Sequence, residues 1–238
     1  METGYIGDFQ KFLDYTNEKE VLLAEITEEL RRHQCRSLLD VGAGNGLMAI
    51  PLSRQVSKYT AVETKKEYAL ALREAGLEVI NSAFPIELSQ KYDAVLFSHV
   101  FSYLHPDHEE FINAAWQFLN QNGVLVIVTY RGEEDDWTRL IKQLGLLNPG
   151  DYPAIFENMV NLLSSLGKTT VRKVVTTVKA DNIEDMIAAL SFVASNGVPE
   201  RKQKFMTHRE EIVAFLENYK TDDGFAFPFQ HFILVTEK

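Results

Sequence analysis

The sequence of 238 residues predicts an α/β protein built on a doubly wound, mostly parallel sheet. Short apolar segments alternate with helical patterns from residue 37 to residue 130. Two of these segments, 92–97 and 124–130, are nearly continuous apolar runs, which are typical of strands buried on both faces. Ligands of such sheets bind where the strands end at their carboxyl termini, so we expect the functional site at that edge.

The first strand of the predicted sheet leads into a glycine-rich turn. The stretch 37–53 reads as a strand over 38–41, glycines at positions 42, 44 and 46, and a helical pattern from 47. Glycine permits a sharp turn and brings backbone N–H groups close to a ligand, although a purely structural turn gives the same pattern. Asp40 directly before the turn and Glu63 at the end of the next strand favour a ligand. A carboxylate in the second position can accept hydrogen bonds from two ribose hydroxyls.

The segment Asp40-Val41-Gly42-Ala43-Gly44-Asn45-Gly46 resembles the first motif of the class I S-adenosylmethionine-dependent methyltransferases, and Glu63 matches their ribose-binding acid. The glycine spacing differs from the GxGxxG of NAD-binding proteins. The resemblance implies S-adenosyl-L-methionine as cofactor and a Rossmann-like sheet of seven strands, the last one antiparallel. It also implies methyl transfer to nitrogen or oxygen of a small molecule. Methylation of a protein or tRNA, and a regulator that binds cofactor without transfer, stay open as alternatives.

The resemblance assigns further residues to the cofactor. Asp40 is expected to order the turn and the methionine part, and Glu63, followed by Thr64, to hold the ribose. The third strand ends in 81–84, where the family usually carries an acid that binds adenine and this chain has none. Residues 98–100 are expected below the cofactor. The complete expected set is Asp40, Gly42, Ala43, Gly44, Asn45, Gly46, Glu63, Thr64, Asn81, Ser82, Ala83, Phe84, Ser98, His99 and Val100.

The acceptor side is less defined in the sequence. His99 is a candidate base, because histidine titrates near neutrality, or else a hydrogen-bonded wall residue. Tyr15, Phe101, Tyr130 and Trp137 are aromatic candidates for contact with the acceptor. Four acids at 133–136 precede Trp137, and they either attract a cationic amine or begin a helix with charges that complement its dipole.

The remaining elements give the predicted domain organisation. The segment 4–16 has no clear periodicity, and capping boxes are predicted at Asn17/Glu20, Asp107/Glu110, Asp181/Glu184 and Thr207/Glu210. Pro228 is expected to begin the last strand. We predict an N-terminal lid or helical segment (1–36), a cofactor-binding core (37–180), a cap of two helices (181–224) and the last core strand (225–238). The order of elements in the terminal third is similar to that of histamine N-methyltransferase, which favours a small acceptor. The cap could instead form a dimer contact or simply cover the sheet.

The composition excludes several classes of protein. The net charge of −10 argues against a large surface for nucleic acid, and no apolar run approaches the roughly 20 residues of a membrane span. The N-terminus does not resemble a secretory signal. A single cysteine, Cys35, excludes an intramolecular disulfide and a thiolate metal cluster, and we predict no metal site and a cytoplasmic protein.

Overall fold

The computed structural model describes residues 2–101, 108–132, 135–146, 152–195 and 198–238. Within them, one sheet contains the strands β1 (Ser37–Val41), β2 (Lys58–Val62), β3 (Glu78–Ile80), β4 (Tyr92–Ser98), β5 (Leu119–Thr129), β6 (Lys168–Ala180), β7 (Lys220–Thr221) and β8 (Gly224–Glu237). The same residues form the helices α1 (Glu2–Tyr15), α2 (Glu18–Arg32), α3 (Ala49–Ser53), α4 (Lys66–Glu74), α5 (His108–Phe118), α6 (Asp136–Gln143), α7 (Tyr152–Leu166), α8 (Ile183–Ser195), α9 (Pro199–Met206) and α10 (Arg209–Leu216).

The sheet is mostly parallel and doubly wound, as predicted. Its strand order is β3-β2-β1-β4-β5-β8-β6, and the short β7 pairs with β8. Strands β1 to β5 pair in parallel, whereas β8 runs antiparallel to β5. The carboxyl ends of the first five strands therefore share one edge, and the order reverses between β1 and β4, where ligands bind in such sheets.

Contacts divide the chain into two compact units. The sheet unit comprises Lys19–Arg131, Pro153–Val174 and His231–Lys238, and the helical unit comprises Met1–Glu18, Gly132–Tyr152 and Val175–Gln230. The sequence-based division at residues 36, 180 and 224 stays a prediction. Among the residues that the structure describes, no helix has both the length and the apolar character that crossing a membrane requires.

The core of the sheet unit lies on both faces of the sheet. Along β5, alternate valines at 124, 126 and 128 pack with α2, while Leu125 and Ile127 pack with α5 and α7 on the other face. This alternation follows from the two-residue period of a strand. The apolar runs that predicted β4 and β5 are thus explained by burial on both sides.

Two helices of the helical unit were not predicted. Of the segment 4–16, residues 4–15 belong to α1, where Phe12 stacks on Phe192 at 5.5 Å between ring centroids and Phe9 approaches the same ring at 5.3 Å. Helix α9 is a third helix between β6 and β8, where two were expected. Packing of aromatic rings within this unit stabilises α1, and a local sequence pattern does not show such contacts.

The capping box predicted at Asn17 is wrong. The Asn17 carboxamide oxygen accepts from the backbone N–H of Thr177 at 2.8 Å, and the Asn17 N–H donates to the Thr177 carbonyl at 3.2 Å. Thr16 instead accepts from the N–H of Glu18 at 3.2 Å. Asn17 therefore pairs with β6 and does not close the predicted capping box.

Two later capping boxes were also wrong. Asn182, one residue after the predicted Asp181, accepts from the Asp185 N–H at 3.0 Å and begins α8. Thr207 donates to the carbonyl of Lys204 at 2.7 Å, at the end of α9, and no side chain caps α10. Both helices begin one residue later than predicted, so the residue predicted to cap is not at the N-cap position. Asp107, predicted to cap α5, lies outside the described residues.

Pro228 lies inside β8 and not at its start, in contrast to the prediction. The ladder between β8 and β5 covers only 232–237 of β8, so Pro228 lies outside it. The missing N–H of proline therefore removes no hydrogen bond from that ladder.

Candidate functional site

The glycine turn after β1 requires glycine for two different reasons. Gly42, Gly44 and Gly46 have φ angles of +80°, +61° and +90°, which side chains rarely adopt. A Cβ on Gly42 would lie 2.6 Å from Cγ2 of Val100, whereas a Cβ on Gly44 would meet only a carbonyl oxygen at 3.9 Å. Gly42 is thus packed against protein, while Gly44 faces open space that a ligand can approach. The helix after the turn begins only at Ala49 and has five residues.

Glu63 fastens this turn to the end of β2. Its side chain is buried, with 6% exposure. Oε2 accepts from the Gly44 N–H at 2.8 Å, and Oε1 accepts from the Lys65 N–H at 2.7 Å. Because each carboxylate oxygen can accept more than one hydrogen bond, both oxygens retain capacity for ligand hydroxyl groups. Glu63 and the glycine turn, which lie apart in the sequence, therefore form one hydrogen-bonded unit.

Asp40 is a second buried carboxylate at the same edge. Its exposure is 3%, and its Oδ2 accepts from the Tyr59 hydroxyl at 2.5 Å. Burial raises the pKa of Asp40 from 3.8 to about 6; the hydrogen bond from Tyr59 opposes this rise, and the charge of Glu63 adds to it. Burial also raises the pKa of Tyr59 well above its ordinary value. The charged form of Asp40 is therefore unfavourable without a positive partner.

A cavity of about 420 Å³ lies beside the turn. Its lining residues are Val41, Gly42, Val62, Thr64, Ser82, Ala83, Phe84, Pro85, Val100, Glu110 and Phe111. Most of these are apolar, and a few polar groups stand among them, as is typical of a site for a small organic ligand. Phe84 is held by edge-to-face contacts with Phe97 at 5.5 Å and Phe111 at 5.4 Å, so it forms a fixed wall.

The four residues expected at adenine separate into two groups. Ser82, Ala83 and Phe84 line the cavity. The Asn81 amide nitrogen instead donates to the carbonyls of Glu63 at 2.7 Å and Thr64 at 3.1 Å. Asn81 thereby connects the ends of β3 and β2, and only its amide oxygen remains for other contacts.

Of the other expected cofactor residues, Val100 and Thr64 line the cavity. The Ser98 hydroxyl lies 3.9 Å from Sδ of Met48. The Asn45 side chain accepts from the Leu47 N–H at 3.3 Å and so supports the turn. These residues all belong to the sheet unit.

An aromatic cluster stands at the ends of β4, β5 and the paired part of β8. His99, with a left-handed φ of +55°, stacks on Tyr130 at 4.7 Å. His231 is fully buried and lies 5.2 Å from the ring of His99 and 5.1 Å from that of Tyr130. His231 was not among the site residues predicted from the sequence. Its position just before the antiparallel pairing of Phe232 with Thr129 is the signal that places it at this edge.

The remaining acceptor candidates lie in different units. Phe101 belongs to the sheet unit, where it is buried 4.8 Å from Phe97. Tyr15 and Trp137 belong to the helical unit. Burial raises the pKa of Tyr15, and so does its hydrogen bond with Asp185. Trp137 packs 5.4 Å from Phe229.

The acidic run before Trp137 begins a helix. Asp135 is buried and accepts from the Thr138 N–H at 2.6 Å, which caps α6. Of the other acids, Glu133 and Glu134 lie outside the described residues. The cap at Asp135 supports the helix interpretation of this run.

Comparisons with known proteins agree with this architecture. The sequence model of a family described as a methyltransferase domain matches residues 9–164. None of the curated proteins matches the chain. The YcgJ protein of Bacillus subtilis is 15% identical, with a TM-score of 0.60 over 91% of this chain and 97% of that one.

Two further structures share the fold. A Bacillus halodurans protein proposed to be a methyltransferase is 15% identical, with a TM-score of 0.57 over 85% of this chain and 92% of that one. The plantazolicin methyltransferase BpumL, solved with a pentazolic substrate analog and S-adenosylhomocysteine, is 12% identical, with a TM-score of 0.53 over 93% and 86%. At such identities the structures establish the fold, whereas the family match covers more than half of the sequence. The chain therefore belongs to the methyltransferase-domain family and is a class I S-adenosylmethionine-dependent methyltransferase.

Proposed function

We propose that this enzyme binds S-adenosyl-L-methionine at the carboxyl edge of β1–β4 and methylates nitrogen or oxygen of a small-molecule acceptor. The observation that carries the proposal is the buried carboxylate of Glu63, hydrogen-bonded to the Gly44 N–H beside the cavity. A turn without a ligand needs no carboxylate that retains acceptor capacity at this edge.

The residues of this edge fit the cofactor in size and charge. The cavity volume of about 420 Å³ falls within the range of small-ligand sites and suits the adenine part. In the proposal, Glu63 accepts from the ribose hydroxyls, and Asp40 with the turn at 42–46 faces the methionine part. When bound, S-adenosylmethionine supplies a methyl group on a positively charged sulfur. The chain's own residues then have to bind both reactants, orient them and exclude water.

A small acceptor is supported by charge and by the aromatic edge. The net charge of −10 opposes association with nucleic acid. The stacked rings of His99 and Tyr130 offer a flat surface for an organic acceptor at the edge where the first five strands end. An imidazole there is also able to take up a proton from an amine or phenol, and the pH dependence of transfer distinguishes this role from simple contact. The likeness to histamine N-methyltransferase stays a prediction.

The proposal is tested by calorimetric titration with S-adenosylhomocysteine. We expect micromolar binding by the wild type and at least about tenfold weaker binding by Glu63→Gln, since the amide loses the charge and one acceptor oxygen. Glu78→Gln, which changes an exposed acid on β3, is the matched control and should bind as the wild type does. Absence of binding by the folded wild type, or equal binding by Glu63→Gln, contradicts the proposed site.

The acceptor is tested next by methyl transfer to amines and phenols, with tRNA and protein as competing substrates. Transfer only to a macromolecule contradicts the small-molecule proposal. Cofactor binding without transfer to any of them favours the non-catalytic regulator.

A further inference from the structure

We infer that Glu110, at the start of α5, binds the exocyclic amino group of adenine and makes the site selective for an adenosyl over an inosyl cofactor. This inference rests on the proposed function, because it places adenine in the cavity beside the glycine turn.

The cavity offers adenine two kinds of surface. Val41, Val62, Val100 and Phe111 supply apolar walls for the faces of a flat base. The edge of adenine carries an amino group that donates hydrogen bonds, and this group needs an acceptor when it leaves water. Among the described residues that line the cavity, Glu110 is the one carboxylate.

The end of β3 provides no acid for this purpose. The Asn81 side chain is directed to the end of β2, and the Ser82 hydroxyl donates to the Ala83 carbonyl at 3.1 Å. A carboxylate only accepts hydrogen bonds, and a charge-assisted bond to it is stronger than one to a neutral hydroxyl. Glu110 is therefore the favoured acceptor for the amino group.

The packing of Phe111, the next residue in α5, positions the backbone of Glu110 beside the cavity. Phe111 is buried and lies 5.4 Å from the ring of Phe84 and 6.4 Å from that of Phe97. These contacts hold the first turn of α5 against the cavity. Glu110 itself is exposed, so water weakens its hydrogen bond to the base.

The expected consequence is discrimination at one position of the base. Hypoxanthine carries a carbonyl oxygen where adenine carries the amino group, so two acceptors would face each other at Glu110. We expect the wild type to bind S-adenosylhomocysteine about tenfold more tightly than S-inosylhomocysteine, since a hydrogen bond to a charged group is worth roughly this factor. The two ligands carry the same charge, so their affinity ratio cancels long-range electrostatic effects.

The test is calorimetric titration of both ligands into the wild type, Glu110→Gln and Glu109→Gln. In Glu110→Gln the amide can either donate or accept, so we expect the ratio of the two affinities to fall within about twofold of unity. Glu109 is the adjacent exposed acid and does not line the cavity, so Glu109→Gln should keep the wild-type ratio. Thermal unfolding of each variant confirms that it is folded.

The outcomes separate this inference from the proposed function. Equal binding of both ligands by the wild type, or an unchanged ratio in Glu110→Gln, overturns the role of Glu110 and leaves the cofactor site standing. Failure of the folded wild type to bind either ligand overturns both.

Discussion

Replacing Asp40 by asparagine is expected to stabilise the fold while weakening cofactor binding. Asparagine keeps an oxygen that can accept from the Tyr59 hydroxyl, but it cannot ionise. The substitution therefore removes the buried charge and leaves the packing around it nearly unchanged. A gain in stability together with a loss of affinity is the result expected if Asp40 serves ligand binding and not folding.

The magnitude follows from the pKa of Asp40, which burial raises from 3.8 to about 6. Below pH 3.8 the carboxyl is protonated in both the folded and the unfolded chain, and it contributes nothing to the pH dependence. Between the two values the folded protein binds the proton more tightly, so ionisation increasingly favours the unfolded state. Above pH 6 the full cost is present, about 3 kcal/mol at 1.36 kcal/mol per unit of pKa.

Denaturant unfolding of the wild type and Asp40→Asn at pH 8 and pH 5 measures this cost. The variant should be more stable by about 3 kcal/mol at pH 8 and by about half of that at pH 5. The affinity for S-adenosylhomocysteine, measured in parallel at pH 8, should fall. A variant no more stable than the wild type at pH 8, or a difference that does not shrink at pH 5, refutes the reasoning.

Asp93 is a second carboxylate of the sheet unit, and its replacement by asparagine should change stability in the opposite direction. Burial alone would raise its pKa, but hydrogen bonds from Asn120 and from the backbone of Arg36 and Ser37 outweigh burial and lower it. The ionised Asp93 carboxylate stabilises the folded protein at any pH above its pKa in the unfolded chain. This stabilisation is lost only as the pH falls through its lower pKa in the folded protein. Asp93→Asn should therefore destabilise the protein, by the same amount at pH 5 and pH 8.

Two further predictions concern packing and ion pairs. Gly42→Ala should destabilise the protein by about 3 kcal/mol, because alanine is strained in the left-handed backbone and its Cβ meets Val100. In a double-mutant cycle with Val100→Ala, the two substitutions together should cost at least about 1 kcal/mol less than the sum of their separate effects. Additive effects would contradict the contact. Arg172→Ala should cost about 2 kcal/mol, because Arg172 donates at 2.9 Å to Glu29, whose side chain is only 3% exposed. As a control, Lys168→Ala breaks the ion pair with Glu237, whose side chains are 75% and 41% exposed, and should cost less than about 0.5 kcal/mol. Equal losses of stability for the two variants in denaturant unfolding would contradict the greater weight given to the Arg172 pair.

The central sheet could be predicted because its strands are buried on both faces. Such burial demands continuous apolar runs, and β4 and β5 show them without reference to any partner. The ends of the helices could not be predicted equally well. The Asn17 side chain binds Thr177, which is distant in the sequence, and Asn182 caps α8 although Asp181 beside it is also able to cap.

The same distinction holds for the candidate site. Asp40, Gly44 and Glu63 were identified because the turn and its two acids follow a local spacing. Their partners were not. The Tyr59 hydroxyl reaches Asp40 because Leu38 pairs with Tyr59 across β1 and β2, and Glu110 reaches the cavity only through the packing of α5. These contacts require the register and the helix positions, which a single sequence does not contain.

Two features that oppose folding lie at the carboxyl edge of the sheet unit, a buried carboxylate and a left-handed turn. Asp40 is buried, the charge of Glu63 further disfavours its ionisation, and the turn after β1 holds three glycines in a left-handed conformation. A structural turn would be better served by asparagine at position 40, which keeps the hydrogen bond with Tyr59 at no electrostatic cost. A cationic ligand changes this balance, because its charge stabilises the ionised Asp40 carboxylate, which the fold alone disfavours. We therefore propose that the carboxylate at position 40 serves the binding of a cationic ligand at this edge, and an Asp40→Asn variant that gains stability without losing affinity would contradict that proposal.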